Sequence, residues 1–200
     1  MYSLSLRVFT IVLLLRGLAL ALPHTLDNVK TMKTPAIELA RSADTCADPS
    51  LAQPLYQSFR ADLTAHLLNY RQAFEHDNTR NQASVWADLQ PSFRAWPTQQ
   101  NFTVPLFQLG AADRMQYIYR TGVDATTPPV VSGFNTDVAL LAWVYDSPVC
   151  GSVPLMSTVW AQMTDHYFTT SAFEHDWLVA IAAGWTDSGV VAYVLPFYDS

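Results

Sequence analysis

Lysine is nearly absent from this 200-residue chain: Lys30 and Lys33 are the only two. From residue 46 onward the bases are Arg60, Arg71, Arg80, Arg94, Arg114 and Arg120, against 14 acids, a formal charge of −8. From Cys150 to the end there is neither Lys nor Arg, but there are five acids. A surface this acidic repels phosphate backbones, which argues against nucleic acid as a partner. It also lacks the basic patch that would draw it to anionic lipid. Net negative charge of this kind keeps a protein soluble. Cysteine is scarce as well, with Cys46 and Cys150 alone. Structural zinc wants four ligands with short Cys-x-x-Cys pairs, so no metal and no cofactor is expected. A Gly-x-Ser-x-Gly elbow and a phosphate-cradling glycine loop are both missing, and a free thiol nucleophile is not expected. No apolar run reaches the roughly 20 residues that span a bilayer.

What is present begins with an export signal. Arg7 is its basic start, residues 8–15 its apolar run (interrupted soon after by Arg16), and Ala19-Leu20-Ala21 its small-x-small cleavage site. Residues 1–21 are therefore expected to be removed, leaving a secreted, extracellular protein with no membrane attachment. Residues 22–45 contain no aromatic residue and no clear periodicity, and read as a flexible lead or pro-segment. Half of the chain is hydrophobic, with six Trp, nine Tyr and ten Phe, enough for a packed core starting near Cys46. In an exported protein, Cys46 and Cys150 suggest one disulfide. Closing so long a loop stabilises by about 4–5 kcal/mol in the chain-entropy account. Asn101-Phe102-Thr103 is a sequon, read either as a glycosylation site or as an unmodified loop asparagine.

Inside the body the chain repeats itself. Pro54-Leu55-Tyr56, Pro105-Leu106-Phe107 and Pro154-Leu155-Met156 recur at intervals of 51 and 49. Strand-like segments follow in which His66, Gln116 and His166 are spaced 50 and 50. Ala-aromatic pairs, with Trp96, Trp143 and Tyr193 in matching places, are spaced 47 and 50. Three anchors agreeing on about 50 residues indicate a repeat. The expected fold is mainly β with short helices, in one domain over 46–200 with units at about 46–98, 99–148 and 149–200. Units this small are unstable alone. They are expected to close on one another, trefoil-like or propeller-like, with the disulfide tying two corresponding edges. In the third unit, Ser171-Ala172-Phe173-Glu174 fits a capping box, with Glu174 reaching back to the Ser171 amide. Phe173, Trp177 and Ile181 recur at i, i+4 and i+8, as for a buried helix face, and Gly184 would end that helix. In the first unit Gln72 takes the cap position. Pro128-Pro129 precludes a regular helix in the second, leaving 122–133 irregular.

Cys150-Gly151-Ser152-Val153-Pro154-Leu155, then Asp165-His166-Tyr167-Phe168-Thr169-Thr170-Ser171-Ala172-x-Glu174, then Gly184-Trp185-x-x-x-Gly189-Val190-x-Ala192-Tyr193-Val194, resembles a repeat family of unknown function. That family occurs in secreted fungal and bacterial proteins and is sometimes appended to hydrolases. Its units read roughly Pro-Leu-Tyr-Arg, Asp-His-Phe-Tyr-Thr-Thr-Ser, Gly-Tyr-x-x-Glu-Gly. The first unit has Ala65 where the family has Asp, and the second has Met115-Gln116 where it has Asp-His. The resemblance implies a secreted, mainly β module and carries no established activity.

The word Ala-Phe-Glu-His-Asp occurs at 73–77 and again at 172–176, 99 residues apart, consistent with two periods of about 50. Neighbours on a helix point about 100° apart, so Glu75, His76 and Asp77, or Glu174, His175 and Asp176, do not converge on one ion. They read as a capping Glu with an exposed His and Asp. Asp165 and His166 are better binding candidates. They face opposite sides of a strand, with His166 either a hydrogen-bonded, partly buried residue or the lining of a polar pocket. Trp96, Trp143 and Tyr193 are either core or sugar-stacking platforms, while Trp185, in a turn, is the platform expected to be exposed. The expectation is a non-catalytic, monomeric module that binds an extracellular or cell-wall glycan through Asp165, His166 and Trp185. The alternatives are a small hydrolase using acidic residues and a structural surface protein with no small ligand.

Overall fold

The computed structural model of the chain describes residues 46–198. The expected signal (1–21) and lead (22–45) lie outside the described residues. The body is mainly β. In chain order it runs β1 (Gln53–Arg60), β2 (Ala65–Asn69), α1 (Arg71–Arg80), β3 (Ala87–Ala95), β4 (Val104–Gly110), β5 (Tyr117–Thr121), β6 (Thr136–Val144), β7 (Val153–Trp160), β8 (Asp165–Thr169), α2 (Ala172–Ala180) and β9 (Thr186–Pro196). There are two antiparallel sheets, six strands in the order β2-β1-β3-β9-β7-β8 and three in the order β5-β4-β6, and neither closes into a barrel. No helix among the described residues is long and apolar enough to cross a membrane.

The Pro-Leu anchors open the central strands. β1, β4 and β7 each pair with a partner on both sides, and their leucines, Leu55, Leu106 and Leu155, are fully buried. Each also carries a bulge opposite it. Leu55 faces Phe93 but Tyr56 faces Pro91; Leu106 faces Ala142 but Phe107 faces Leu140; Leu155 faces Ala192 but Met156 faces Val190. One extra residue on the partner strand, β3, β6 or β9, bends it and increases its twist. Proline is tolerated beside such a bulge, which is where Pro91 sits.

These ladders correct two of the sequence alignments. Tyr117, not Gln116, stands opposite Gly110, four places after Leu106. His66 stands likewise opposite Phe59 and His166 opposite Val159. Arg94, not Trp96, stands opposite Pro54, as Trp143 stands opposite Pro105 and Tyr193 opposite Pro154. In both cases an alternating pattern looks the same when slid along the strand, and only pairing decides the frame.

The ends of the last strands meet. Trp96 bridges Trp143, Tyr145 bridges Tyr193, and Arg94 on β3 pairs with Leu195 on β9. The first two bridges carry reciprocal backbone hydrogen bonds of 2.7–3.1 Å. Trp96, Tyr145 and Leu195 are buried there beside Ala47, with Trp143 and Tyr193 in the same cluster. These aromatic residues are core. The Trp96 indole N–H donates to the Asp48 carbonyl at 2.6 Å, and the Ala47 amide donates to the Tyr145 hydroxyl at 2.9 Å. Cys46 and Cys150 are joined, with Cα atoms 5.8 Å apart. The segment ahead of β1 is thus covalently tied to the loop ahead of β7.

The main core holds Leu68, Phe74, Phe93, Tyr119 and Phe168 around the three leucines. The Tyr119 hydroxyl, buried with them, accepts from the Leu68 amide at 2.7 Å and donates to the Leu68 carbonyl at 3.0 Å. A free strand edge inside the core is satisfied in this way. Burial pushes the Tyr119 phenol far above its ordinary pKa.

The helices depart from expectation. Tyr70, not Gln72, is the N-cap of α1, with no side-chain cap bond. α1 is secured by Phe74 in the core and by Asn78, whose side chain bonds both the amide and the carbonyl of Trp86 at 2.7 and 2.8 Å. In α2 Ser171 does accept the Glu174 amide at 3.3 Å, but the Ser171 amide turns to the Thr169 hydroxyl rather than to Glu174. α2 ends at Ala180, capped by Ile181, so Gly184 (φ +100°) belongs to the following turn. Phe173, Trp177 and Ile181 share a face, but that face is exposed. Residues 122–133 are irregular, as expected from Pro128-Pro129.

Candidate functional site

The two edges of the six-stranded sheet, β2 and β8, face each other through side chains rather than through a ladder. Thr164, in the left-handed region (φ 56°), turns the chain into β8 and delivers Asp165 to this seam. Asp165 is 3% exposed. Its Oδ1 accepts from the His66 amide at 3.0 Å, and its two oxygens lie 2.9 and 3.0 Å from His66 Nδ1. A buried carboxylate must be compensated by hydrogen bonds, and the His66 amide and ring nitrogen both supply them. The pair therefore holds the imidazole with Nδ1 toward the carboxylate and Nε2 free to meet a ligand. A few residues on, Gln57 Oε1 accepts from the Phe168 amide at 2.9 Å.

Tyr167 stands at the centre of the seam. Its hydroxyl donates to Glu174 Oε1 at 2.7 Å, and Gln57 lines the clefts beside it. Burial, reinforced by the Glu174 carboxylate, holds the phenol well above its ordinary pKa, so it remains a donor. Glu174 Oε2 accepts from the Thr169 hydroxyl at 2.6 Å. His66 meets the edge of Tyr167 at 5.0 Å between ring centroids and tilts against Phe59 at 4.8 Å.

Two clefts flank Tyr167. One, of about 300 Å³, is lined by Gln57, Ser58, Phe59, His66, Gln90 and Tyr167. The other, of about 460 Å³, shares Gln57, Gln90 and Tyr167 and continues past Ser171 and Glu174 to Phe197 and Tyr198. Neither is lined by Lys or Arg. Planar amides, a fixed carboxylate and aromatic edges thus converge on one concave surface. They offer donors and acceptors in fixed directions beside apolar faces.

The expected site residues have different neighbours. Asp165 is turned inward to His66. His166, next to it, points the other way and meets Phe134 edge-on at 6.0 Å. Burial lowers its pKa, Asp165 opposes that, and Arg120 lowers it further. Trp185 packs on Trp160 at 5.8 Å and on Tyr167 at 6.2 Å, so it supports the central tyrosine from the far side. Asn101 is exposed in a turn whose Thr103 hydroxyl is engaged by the Gln100 backbone. In the repeated word, Glu75 pairs with Arg71 at 2.8 Å and Asp77 accepts from the Trp86 indole at 3.2 Å. His175 lies between Asp176 and Asp187, at 3.1 and 3.2 Å. Among the described residues no group of three or more His, Cys, Asp or Glu is placed to hold a metal.

Reading the sequence missed His66 as the partner of Asp165, and it missed Gln57, Gln90 and Tyr167. The available signal was the Asp-His order itself. Adjacent residues on one strand cannot both serve one seam, so each needs a partner from elsewhere in the chain.

No curated protein and no solved structure matches the chain. One family model covers residues 54–195, from the first Pro-Leu anchor to the end of β9. The chain belongs to the family described as Domain of unknown function (DUF5648).

Proposed function

We propose that the chain is a secreted, non-catalytic module of three units closed about a common axis, and that the seam between its third and first units binds a neutral glycan. Support for the closure comes from the circuit of strand ends. Trp96 of unit one meets Trp143 of unit two, Tyr145 of unit two meets Tyr193 of unit three, and Leu195 of unit three returns to Arg94 of unit one. Leu68, Tyr119 and Phe168 hold the same ladder position, opposite Gln57, Gln108 and Ser157, and all three are buried. In such a ring the Asp and His of one unit serve different seams. Asp165 of unit three reaches His66 of unit one, while Gln116 stands in the place that would offer a carboxylate to His166, and Ala65 in the place facing Tyr117. Only one of the three seams then keeps an Asp–His pair.

The observation that carries the binding reading is the cleft of about 300 Å³ at that seam, with two glutamine amides and the rings of Phe59, His66 and Tyr167. A sugar ring presents an apolar C–H face and a rim of hydroxyls, and this lining answers both. The lack of Lys or Arg in it, with the formal charge of −8 from residue 46 onward, favours a neutral ligand over an acidic one. The reading is tested with a glycan array followed by calorimetry. Gln90→Ala and His66→Ala are expected to weaken binding about tenfold, each removing a hydrogen bond in a desolvated site. Trp185→Ala tests the support of Tyr167. Absence of binding to every neutral glycan overturns the reading. The buried Asp165–His66 pair also favours a second one, in which His66 activates water for hydrolysis; turnover of a polysaccharide that is lost in His66→Ala would establish it.

A further inference from the structure

The larger cleft carries something the first does not. Glu174 sits in its wall with both oxygens fixed, Oε1 by the Tyr167 hydroxyl at 2.7 Å and Oε2 by the Thr169 hydroxyl at 2.6 Å. Both donors are neutral. Among the described residues no basic side chain forms an ion pair with Glu174, and none lines this cleft. No Lys or Arg occurs anywhere from Cys150 onward. Each carboxylate oxygen can accept more than one hydrogen bond, so accepting capacity remains. A partly buried carboxylate, held in place and without a cation, is a receptor for a positive charge. The cleft shares Gln57, Gln90 and Tyr167 with the first, so the two are contiguous. Phe197 and Tyr198, with rings 4.7 Å apart, form an apolar wall at its far side.

We propose that this cleft is a second subsite for a ring that carries a primary ammonium group, which Glu174 pairs with directly. Resting on the glycan reading of the first cleft, this narrows the ligand to an amino-sugar oligomer with at least one unacetylated unit next to a neutral one. Tyr167 joins the subsites, since its ring walls both and its hydroxyl orients the carboxylate.

The test is calorimetric titration at a mildly acidic pH that keeps the amine protonated. The probes are a neutral glucose tetramer, a fully acetylated glucosamine tetramer, a partly deacetylated glucosamine tetramer and spermidine. The partly deacetylated oligomer is expected to bind about tenfold more tightly than the neutral and acetylated ones, the scale of one charge-assisted hydrogen bond. Glu174→Gln, its fold checked by circular dichroism and a thermal melt, is expected to abolish that difference. Equal affinity of the wild type for all three oligomers overturns the ammonium subsite and leaves the first cleft standing. Binding of none of them overturns both. Spermidine binding that matches the deacetylated oligomer and is lost in Glu174→Gln assigns the ammonium to a polyamine and overturns the sugar.

Discussion

Phe74 is 1% exposed, packed edge-on against Trp86 in the main core; Phe173, at the same place in the same five-residue word, is 81% exposed. Glu75 is held by the exposed Arg71 one turn away, whereas Glu174 is turned inward to Tyr167 and Thr169. The flanking strands explain the reversal. Asn69 faces Tyr56 and Thr169 faces Met156, so the strands correspond at an interval of 100 residues. The two copies of the word correspond at 99. One residue is about 100° of helix rotation, so the second copy is turned by that much relative to its strands. Glu174, not Phe173, occupies the place of Phe74. The word's own composition did not decide which side chain is buried; its frame against the preceding strand did.

The sharpest way to break this comparison is to truncate both phenylalanines. Phe74→Ala is expected to cost about 3–5 kcal/mol, the range for an aromatic ring removed from a packed core. Phe173→Ala is expected to stay within about 0.5 kcal/mol. Urea denaturation measures both, and equal costs would refute the rotation. The helix exits come next. Gly184 lies in the left-handed region with its α-carbon against Trp160, where an added methyl group would collide with the indole nitrogen. Gly184→Ala is expected to destabilise by about 1–3 kcal/mol, more if the indole cannot shift. Asn78→Ala strips the Trp86 amide and carbonyl of their partners and is expected to cost about 1–3 kcal/mol. Thermal melts of the two variants compare the exits directly.

Smaller effects separate the glutamates. Glu174→Ala leaves the Tyr167 and Thr169 hydroxyls without their acceptor and is expected to cost about 1–2 kcal/mol. Glu75→Ala removes one exposed i,i+4 pair and is expected to cost about 0.3–0.5 kcal/mol. The smallest effect is a pH dependence from His175. Partial burial lowers its pKa, but hydrogen bonds to Asp176 and Asp187 outweigh that and leave it raised. A raised folded-state value means the contribution is complete below the unfolded-state pKa of about 6.5 and is lost as pH rises through the folded value. His175 therefore contributes a slight fall in melting temperature from mildly acidic to mildly basic pH, opposed by His166, whose lowered pKa acts the other way, and His175→Asn should remove the falling component.

Part of this architecture was readable without coordinates. The Pro-Leu anchors marked β1, β4 and β7, the serine cap marked the start of α2, and a pair of cysteines marked a bridge. What could not be read was frame. The i, i+4 spacing of Phe173, Trp177 and Ile181 places them on one face but does not say which way that face points. The Ala-aromatic pairs look alike, yet Trp96 lies two residues beyond the register of Trp143. The site was harder still. His66 and Asp165 are 99 residues apart, on strands that share no ladder. Their meeting depends on the edges of a six-stranded sheet approaching each other, a property of the whole sheet and of no local segment.

The pairing of β3 with β9 has a kinetic side. Arg94 and Leu195 are separated by 101 positions, and the cysteines by 104. Contacts this distant in sequence form slowly, because the loop must close before its contacts repay the lost entropy. β9 also completes the ladder of β7, so the last of the described strands is shared by β3 and β7. A chain lacking it would leave both β3 and β7 with an open edge, ready to recruit a strand from a neighbouring molecule. Refolding with intact and reduced cysteines should therefore differ chiefly in the rate of this final closure, the disulfide shortening the search that β9 must make.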